Sequence, residues 1–374
     1  MADYFGQEVP KLGFGFMRLP KLADGEMDIE QIKQMVDLFM GAGLTYFDTA
    51  YVYDNGKSEE ALKTTLVDRY PRDSFTICTK LCAWMQCHDE ESAKQQFYTS
   101  LERTGAGYFD YYLLHAIQQG NYTKYDDYHI WDFVREQKEK GLIKHYGFSF
   151  HASPKLLDQL LTDHPEVDFV QLQINYADWE NPAVASRENF EVARAHGKSI
   201  TIMEPIKGGT LADPPEKVKA LMREARPDLS YASWAIRFAA SLDGIITVLS
   251  GMSTLGQVED NVSYMRDFQP LSEDERQVIE RVRQILEAQD TIPCTACHYC
   301  TDGCPMQIPI PDIFRTKNEL EQFGGEEAAK ERYERRTEKG GKASDCIQCG
   351  QCESACPQQL PIISLLEECA SVFE

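Results

Sequence analysis

Two hydrophobic rhythms alternate along this chain. Eight short runs are apolar almost throughout: "LGFGFMRL", "TYFDTA", "FTICTKL", "YFDYYLLHA", "KHYGFSFH", "FVQLQIN", "SITIMEPI" and "GIITVLSG". Between them lie segments such as "DIEQIKQMVDLFMGAG" and "SEEALKTTLVDRY", in which apolar residues recur at helical spacing before Gly or Pro ends them. Eight strands with helices between them predict a (β/α)8 barrel ending near residue 285. The competing architecture is a doubly wound sheet. Its dinucleotide fingerprint, G-x-G-x-x-G, is missing after the first strand, where "GFGF" lacks the third glycine and the helix opening.

In such a barrel, functional residues gather at the C-terminal ends of the strands. Taken in order, those ends offer Asp48 and Tyr53 after the second strand, Lys80 in the third and His115 in the fourth. A tyrosine titrates near 10 in model peptides, and a neighbouring ammonium such as Lys80 is expected to stabilise the phenolate and lower that value. Asp48 would anchor the lysine. His115 would orient a carbonyl oxygen between itself and the Tyr53 hydroxyl. Each residue alone has a structural explanation, but four in this order form one candidate site.

Beyond residue 285 the rhythm breaks. "CTACHYCTDGCP", Cys294 to Pro305, returns about fifty residues later as "CIQCGQCESACP", Cys346 to Pro357. Eight of the twelve cysteines thereby fall into two copies of C-x2-C-x2-C-x3-C-P. A disulfide framework is disfavoured, because the core is large enough without staples and the cytosol is reducing. One copy would suit zinc. Two complete copies resemble the iron–sulfur run of bacterial ferredoxins, in which the fourth cysteine ligates the other cluster. The resemblance implies two [4Fe-4S] clusters, one held by Cys294, Cys297, Cys300 and Cys356, the other by Cys346, Cys349, Cys352 and Cys304. The segment between the copies contains the helix-forming "EEAAKERYERR" and is similar to the helical dicluster domains of fused redox proteins. Its charges read as a solvated surface helix.

Composition narrows the picture further. The chain has 374 residues, which suits one large domain and one small one, here residues 1–285 and 286–374. A formal net charge of -22 argues against nucleic acid or an anionic membrane as a partner. No apolar run approaches the roughly 20 residues that span a bilayer, and no signal peptide is visible, so a cytoplasmic location is expected.

"FDTAYVYDNGKSEEALK", "ICTK" and "YYLLHA" together resemble the aldo-keto reductase family over residues 5 to 285, and the whole chain resembles the branch with a C-terminal dicluster ferredoxin domain. The resemblance implies a nicotinamide cofactor, NAD(P)H, and reversible reduction of a small-molecule carbonyl to an alcohol. It makes Tyr53 the general acid, tuned by Lys80 and Asp48, with His115 positioning the carbonyl. Ser149 and Gln171 stand at the family's carboxamide-binding positions, but Phe150 replaces the usual Asn. Met203 replaces the aromatic residue that stacks on the nicotinamide. Pro205 belongs to the same loop, whose Lys207, Gly208 and Gly209 would approach the pyrophosphate. Asp260 and Asn261 keep the adenine-contacting positions. Gly251 and Gln257 stand where many members grip the 2′-phosphate with Lys and Arg, which leaves NADH and NADPH both open.

Of the remaining cysteines, Cys78 reads as a buried strand residue and Cys369 as part of a helix face, while Cys82 and Cys87 flank Trp84 on the loop after Lys80. Trp84 is a candidate substrate wall. The two halves of the chain sit uneasily together, since a hydride carries two electrons and each cluster passes one. No flavin motif is visible, and the pattern leaves a flavin open. The clusters would be structural, or feed electrons to the barrel, or dock a redox partner protein. An oxidoreductase is the leading reading; the alternatives are an electron-transfer protein whose barrel is a scaffold or partner-binding module, and a cluster-fed reductase that uses no nicotinamide.

Overall fold

The computed structural model describes residues 2–288, 291–323 and 326–374. Every one of the eight apolar runs coincides with a strand to within a residue or a few at its ends: β1 Leu12–Gly15, β2 Tyr46–Asp48, β3 Thr76–Leu81, β4 Phe109–Ile117, β5 Ile143–Phe150, β6 Phe169–Gln173, β7 Ser199–Met203 and β8 Ile245–Gly251. All neighbours pair in parallel, and β8 closes on β1, so the sheet is a barrel without edges. Its strands are buried on both faces, which is why they read as continuous apolar runs. A short antiparallel hairpin, Ala2–Tyr4 with Gln7–Val9, precedes β1, and its Val9 joins the cluster described next.

Side chains fill the barrel in layers. Tyr46, Cys78, Tyr111, Leu113, Phe169, Ile246 and Leu249 form one buried apolar cluster. Two residues further along their strands, on the same side of the pleat, stand Asp48, Lys80, His115 and Gln171. The apolar layer thus forms a dry floor under a polar ring at the C-terminal ends. Gly147 of β5 is part of this packing, because a Cβ there would lie 2.0 Å from the Phe169 carbonyl oxygen of β6.

Two compact units emerge from the packing. The first comprises Met1–Asn181, Ala185–Pro205 and Ala232–Glu273; the second comprises Pro182–Val184, Ile206–Tyr231 and Asp274–Glu374.

The second unit carries the cysteine motifs, and its repetition extends well past the cysteines. Left-handed backbone recurs at equivalent positions, at Ala296, His298 and Gln307 in one copy and at Gln348, Gly350 and Gln359 in the other. After each motif the chain turns identically, with Gln307 N–H donating to Cys304 O and Gln359 N–H to Cys356 O. A short helix lies within each copy, Tyr299–Asp302 and Gln351–Ala355, and a longer one follows, Ile310–Phe323 and Ile362–Phe373. Matched pairs (Ile308 with Leu360, Ile310 with Ile362, Phe314 with Leu366) share one buried core.

The charged linker does form the expected helix, Glu326–Thr337, but not one that is solvated all round. Ala329 and Tyr333, four apart on one face, are buried in that core. The Tyr333 ring stacks on Phe373 with centroids 4.9 Å apart, and its hydroxyl accepts from Ala343 N–H at 2.7 Å. Among the described residues no helix is long and apolar enough to cross a membrane.

Gly147→Ala is expected to cost about 1–3 kcal/mol as β5 and β6 are forced apart. A denaturation midpoint equal to that of the parent protein would contradict the close approach of the two strands.

Candidate active site and cysteine centre

The polar ring is organised around a sealed ion pair. Lys80 and Asp48 are both buried, and Lys80 Nζ donates to Asp48 Oδ1 at 2.5 Å and to Thr49 O at 2.6 Å. Burial pushes the Asp48 carboxyl up, while the Lys80 ammonium pulls it down. The ammonium also lies over the Tyr53 ring, 4.9 Å from its centroid. His115 meets Tyr53 edge to face, with centroids 5.5 Å apart. All four expected residues are therefore together at one end of the barrel.

The electrostatics differ from expectation in one respect. The Tyr53 phenol lies well above its ordinary value, not below it. Burial is the main cause, with Asp48, Cys78 and Glu204 adding to it and Arg18 opposing. The lysine lies over the ring face and is paired with Asp48, and burial outweighs it. Tyr53 therefore keeps its proton through the neutral range. Burial, reinforced by Lys80 and His151, drives His115 well below its usual value, so its imidazole is neutral.

The loop carrying Tyr53 is held by residues that sequence reading passed over. Asp54 and Asn55 adopt left-handed backbone, and Gly56 makes room for Arg103, whose guanidinium carbon lies 2.4 Å from where a Cβ would be. Arg103 donates to Tyr51 O at 3.1 Å and to the buried Glu59 at 3.4 Å, and Glu59 accepts from Thr79 Oγ1 beside Lys80. The tail of β4 is fixed from outside as well. His115 O accepts from Trp84 Nε1 at 3.3 Å and from the Tyr125 hydroxyl. Trp84 is thus anchored directly on the site. Cys78 and Cys82 are buried, and Cys87 Sγ donates to Cys82 O at 3.5 Å.

The expected nucleotide contacts divide into two groups. Ser149 and Gln171 are register partners on β5 and β6, both buried. Ser149 Oγ accepts from Ala116 N–H at 2.7 Å, which leaves its own hydrogen to donate. Gln171 Oε1 is buried with no hydrogen-bond partner among the described residues. An orphan acceptor beside an available donor fits a carboxamide. Met203, at the end of β7, is the register partner of Gln173.

Other candidates are committed to the protein itself. Phe150 stands outside the ring, 6.1 Å from Phe148, which packs on Trp131. Asn261 donates to Ser250 Oγ at 2.7 Å and accepts from Tyr264. Gln257 accepts from Ser253 N–H at 2.6 Å at the start of the helix Leu255–Met265, which also contains Asp260. Gly251 lies against the Arg18 side chain. Pro205 is buried, and Lys207, Gly208 and Gly209 all have left-handed backbone. Gly208 packs within the second unit, where a Cβ would lie 2.3 Å from the carbonyl oxygen of Thr295 in the first cysteine motif.

In the second unit, Cys294, Cys297, Cys300 and Cys356 line one cavity with Phe314 and Ile362. Three thiols from one motif thus meet the fourth cysteine of the other. Besides burial, Cys297, Cys294 and Cys356 are near enough to push the Cys300 thiol up. Ala296 N–H donates to Cys294 Sγ at 3.4 Å, a bond that its left-handed backbone allows. In the other motif, Cys346 contributes to raising Cys352 after burial. A Cβ on Gly303, next to Cys304, would meet the Gln351 side chain at 2.4 Å, which brings Cys304 to that motif's short helix. Thiols gathered across the two motifs in a mostly apolar pocket suit cubane iron–sulfur clusters. Cys369 is buried in the same core, outside this cavity's lining.

Fold and side chains together define the class: a barrel oxidoreductase joined to an iron–sulfur domain. The profile described as "Aldo/keto reductase family" matches residues 11–284, and that described as "4Fe-4S dicluster domain" matches residues 293–360. The chain belongs to the aldo/keto reductase family and carries a 4Fe-4S dicluster domain. It is 30% identical over 215 residues to the aldo-keto reductase str7 of Strobilurus tenacellus, a match spanning 54% of this chain and 60% of that relative. It is 23% identical to the L-galactose dehydrogenase of Arabidopsis thaliana, over 75% of this chain and 92% of the relative. Among solved structures it resembles an aldo-keto reductase of Bacillus halodurans in its holo form, with TM-score 0.60 and 24% identity over 74% of this chain and 93% of the other. An aldo/keto reductase from Klebsiella pneumoniae in complex with NADP and acetate gives TM-score 0.59 and 19% identity, covering 74% and 92%. At these identities the structural likeness shows the fold.

Removing the ammonium alone, as Lys80→Met, leaves Asp48 buried without its partner, and is expected to cost about 3–5 kcal/mol. Asp48→Asn combined with Lys80→Met should recover part of that loss. Urea unfolding of both single variants and the double variant checks this, and strictly additive losses would show that the two groups are not coupled.

Proposed function

We propose that this protein reduces an aldehyde or ketone to an alcohol with NAD(P)H as the electron donor. The convergence of Tyr53, His115 and the sealed Lys80–Asp48 pair on one point carries the reading. A reduced nicotinamide, when bound, supplies the hydride. Tyr53 gives its hydroxyl proton to the carbonyl oxygen. The neutral imidazole of His115 holds that oxygen by a hydrogen bond and fixes its direction. As negative charge develops on the Tyr53 oxygen, the Lys80 ammonium over the ring stabilises it, and Asp48 keeps the ammonium in place. The Ser149 hydroxyl and the orphan Gln171 Oε1 would orient the carboxamide.

The eight motif cysteines are proposed to hold two [4Fe-4S] clusters in crossed fashion, Cys356 completing the set of Cys294, Cys297 and Cys300, and Cys304 that of Cys346, Cys349 and Cys352. The cavity shared by the first four supports this. Each cluster exchanges single electrons, so the clusters serve a redox partner protein, feed two electrons together to a substrate or further cofactor, or stabilise the second unit. Cytoplasmic residence accords with this chemistry. A second reading, an electron-transfer protein with a scaffold barrel, draws support from Asn261, Phe150 and Gly208, whose contacts lie within the protein. A flavin able to split an electron pair would appear in an analysis of bound cofactors.

Tyr53→Phe should lower carbonyl reduction by about 10²–10⁴-fold while nucleotide affinity stays nearly constant, because the hydroxyl acts in the transition state. Steady-state kinetics with NADH and NADPH, alongside anaerobic nucleotide titration, provide the check. Near-parental turnover removes Tyr53 from its role; binding of neither nucleotide overturns the whole reading in favour of the second.

Cys356→Ser is expected to alter the cluster of Cys294, Cys297 and Cys300 and to spare the one beside it in sequence. Iron analysis and electron paramagnetic resonance on reconstituted protein distinguish the two. Damage confined to the cluster of Cys346, Cys349 and Cys352 would mean that each motif serves itself.

A further inference from the structure

We propose that His151 is a second substrate-recognising imidazole in the polar ring, and that it selects carbonyl substrates bearing a hydroxyl or carbonyl oxygen on the adjoining carbon. The proposal rests on reading the site as a carbonyl reductase. His151 follows β5 directly and continues its ladder, its N–H donating to Ile117 O at 2.9 Å. It stands two residues beyond Ser149, so the pleat brings both to the same side of the strand, opposite Phe148 and Phe150.

Three observations bring its ring into the site. A charge on its ring would act on His115, and strand alternation sets it on the same side of the sheet as Ser149. Its Nδ1 is buried and has no hydrogen-bond partner among the described residues. Burial alone lowers its pKa to about 4, so at neutral pH the ring has one donor and one acceptor and no charge. A buried polar atom left without a partner costs free energy, and a bound oxygen relieves that cost. His115 is already assigned to the reacting carbonyl. The oxygen within reach of a neighbouring ring is therefore the one on the adjoining carbon, as in an α-hydroxy aldehyde or a 1,2-dicarbonyl. A plain aldehyde would leave His151 Nδ1 as it is. A site with a polar group to satisfy discriminates against the analogue that cannot satisfy it.

The test compares 2-hydroxypropanal with propanal, which differ by one hydroxyl, using the full chain with its clusters reconstituted. The parent protein should prefer the hydroxyaldehyde in kcat/KM by about tenfold, the size of one well-made hydrogen bond. In His151→Phe the ratio should fall to near one. In His151→Gln, which keeps a donor and an acceptor, it should be partly retained, and this variant also decides the matter if the phenylalanine does not fold. A parent ratio near one, or an unchanged ratio in His151→Phe, overturns the proposal. Turnover of neither aldehyde by the parent protein instead overturns the carbonyl-reductase reading, and the proposal falls with it.

Discussion

Sealing a lysine and an aspartate against each other inside a barrel is the constraint to which the rest of this structure answers. Two isolated charges taken out of water would each cost several kcal/mol, and only close pairing with a further acceptor makes the arrangement tolerable. Lys80 meets both conditions through Asp48 and the Thr49 carbonyl. That pairing requires β2 and β3 to be aligned as they are, with Asp48 opposite Cys78, because a slip of one residue would turn Lys80 out of the barrel. The apolar floor of Tyr46, Cys78, Tyr111 and Phe169 keeps water from below. His115 is then buried beside a half-buried Tyr53, and the one stays uncharged while the other keeps its proton.

Much of this was legible in the chain because buried parallel strands write themselves as unbroken apolar runs, and because the ends of such strands are where a barrel gathers its polar groups. Asp48, Lys80 and His115 were readable for that reason. The state of Tyr53 was not. A nearby lysine suggested a depressed phenol, but only the structure shows the ammonium over the ring and the surrounding burial. Glu59 and Arg103 were missed because in "SEEALK" and "LERTG" they look like ordinary charges on a helix, and no local pattern tells that their heads meet under the Tyr53 loop.

The cysteine motifs show the opposite balance. Their spacing is unambiguous, but the backbone that makes the spacing useful is not written in residue type. Of the six left-handed positions shared by the two copies, only Gly350 is a glycine; Ala296, His298, Gln307, Gln348 and Gln359 adopt that conformation against their preference. Tertiary context, not propensity, holds them there. Tyr333 was obscured in a similar way, a single aromatic in a strongly charged helix that nonetheless ties the helix to Phe373 and Ala343.

Ile206–Tyr231 folds with Asp274–Glu374, although the two are far apart in sequence. Arg226 pairs with Glu275 at 2.9 Å, and Gly208 gives way to Thr295. The unit that carries the cysteines is therefore assembled from separate stretches of the sequence. Exchanging the C-terminal segment between cousins by a single splice would leave Gly208 facing a stranger.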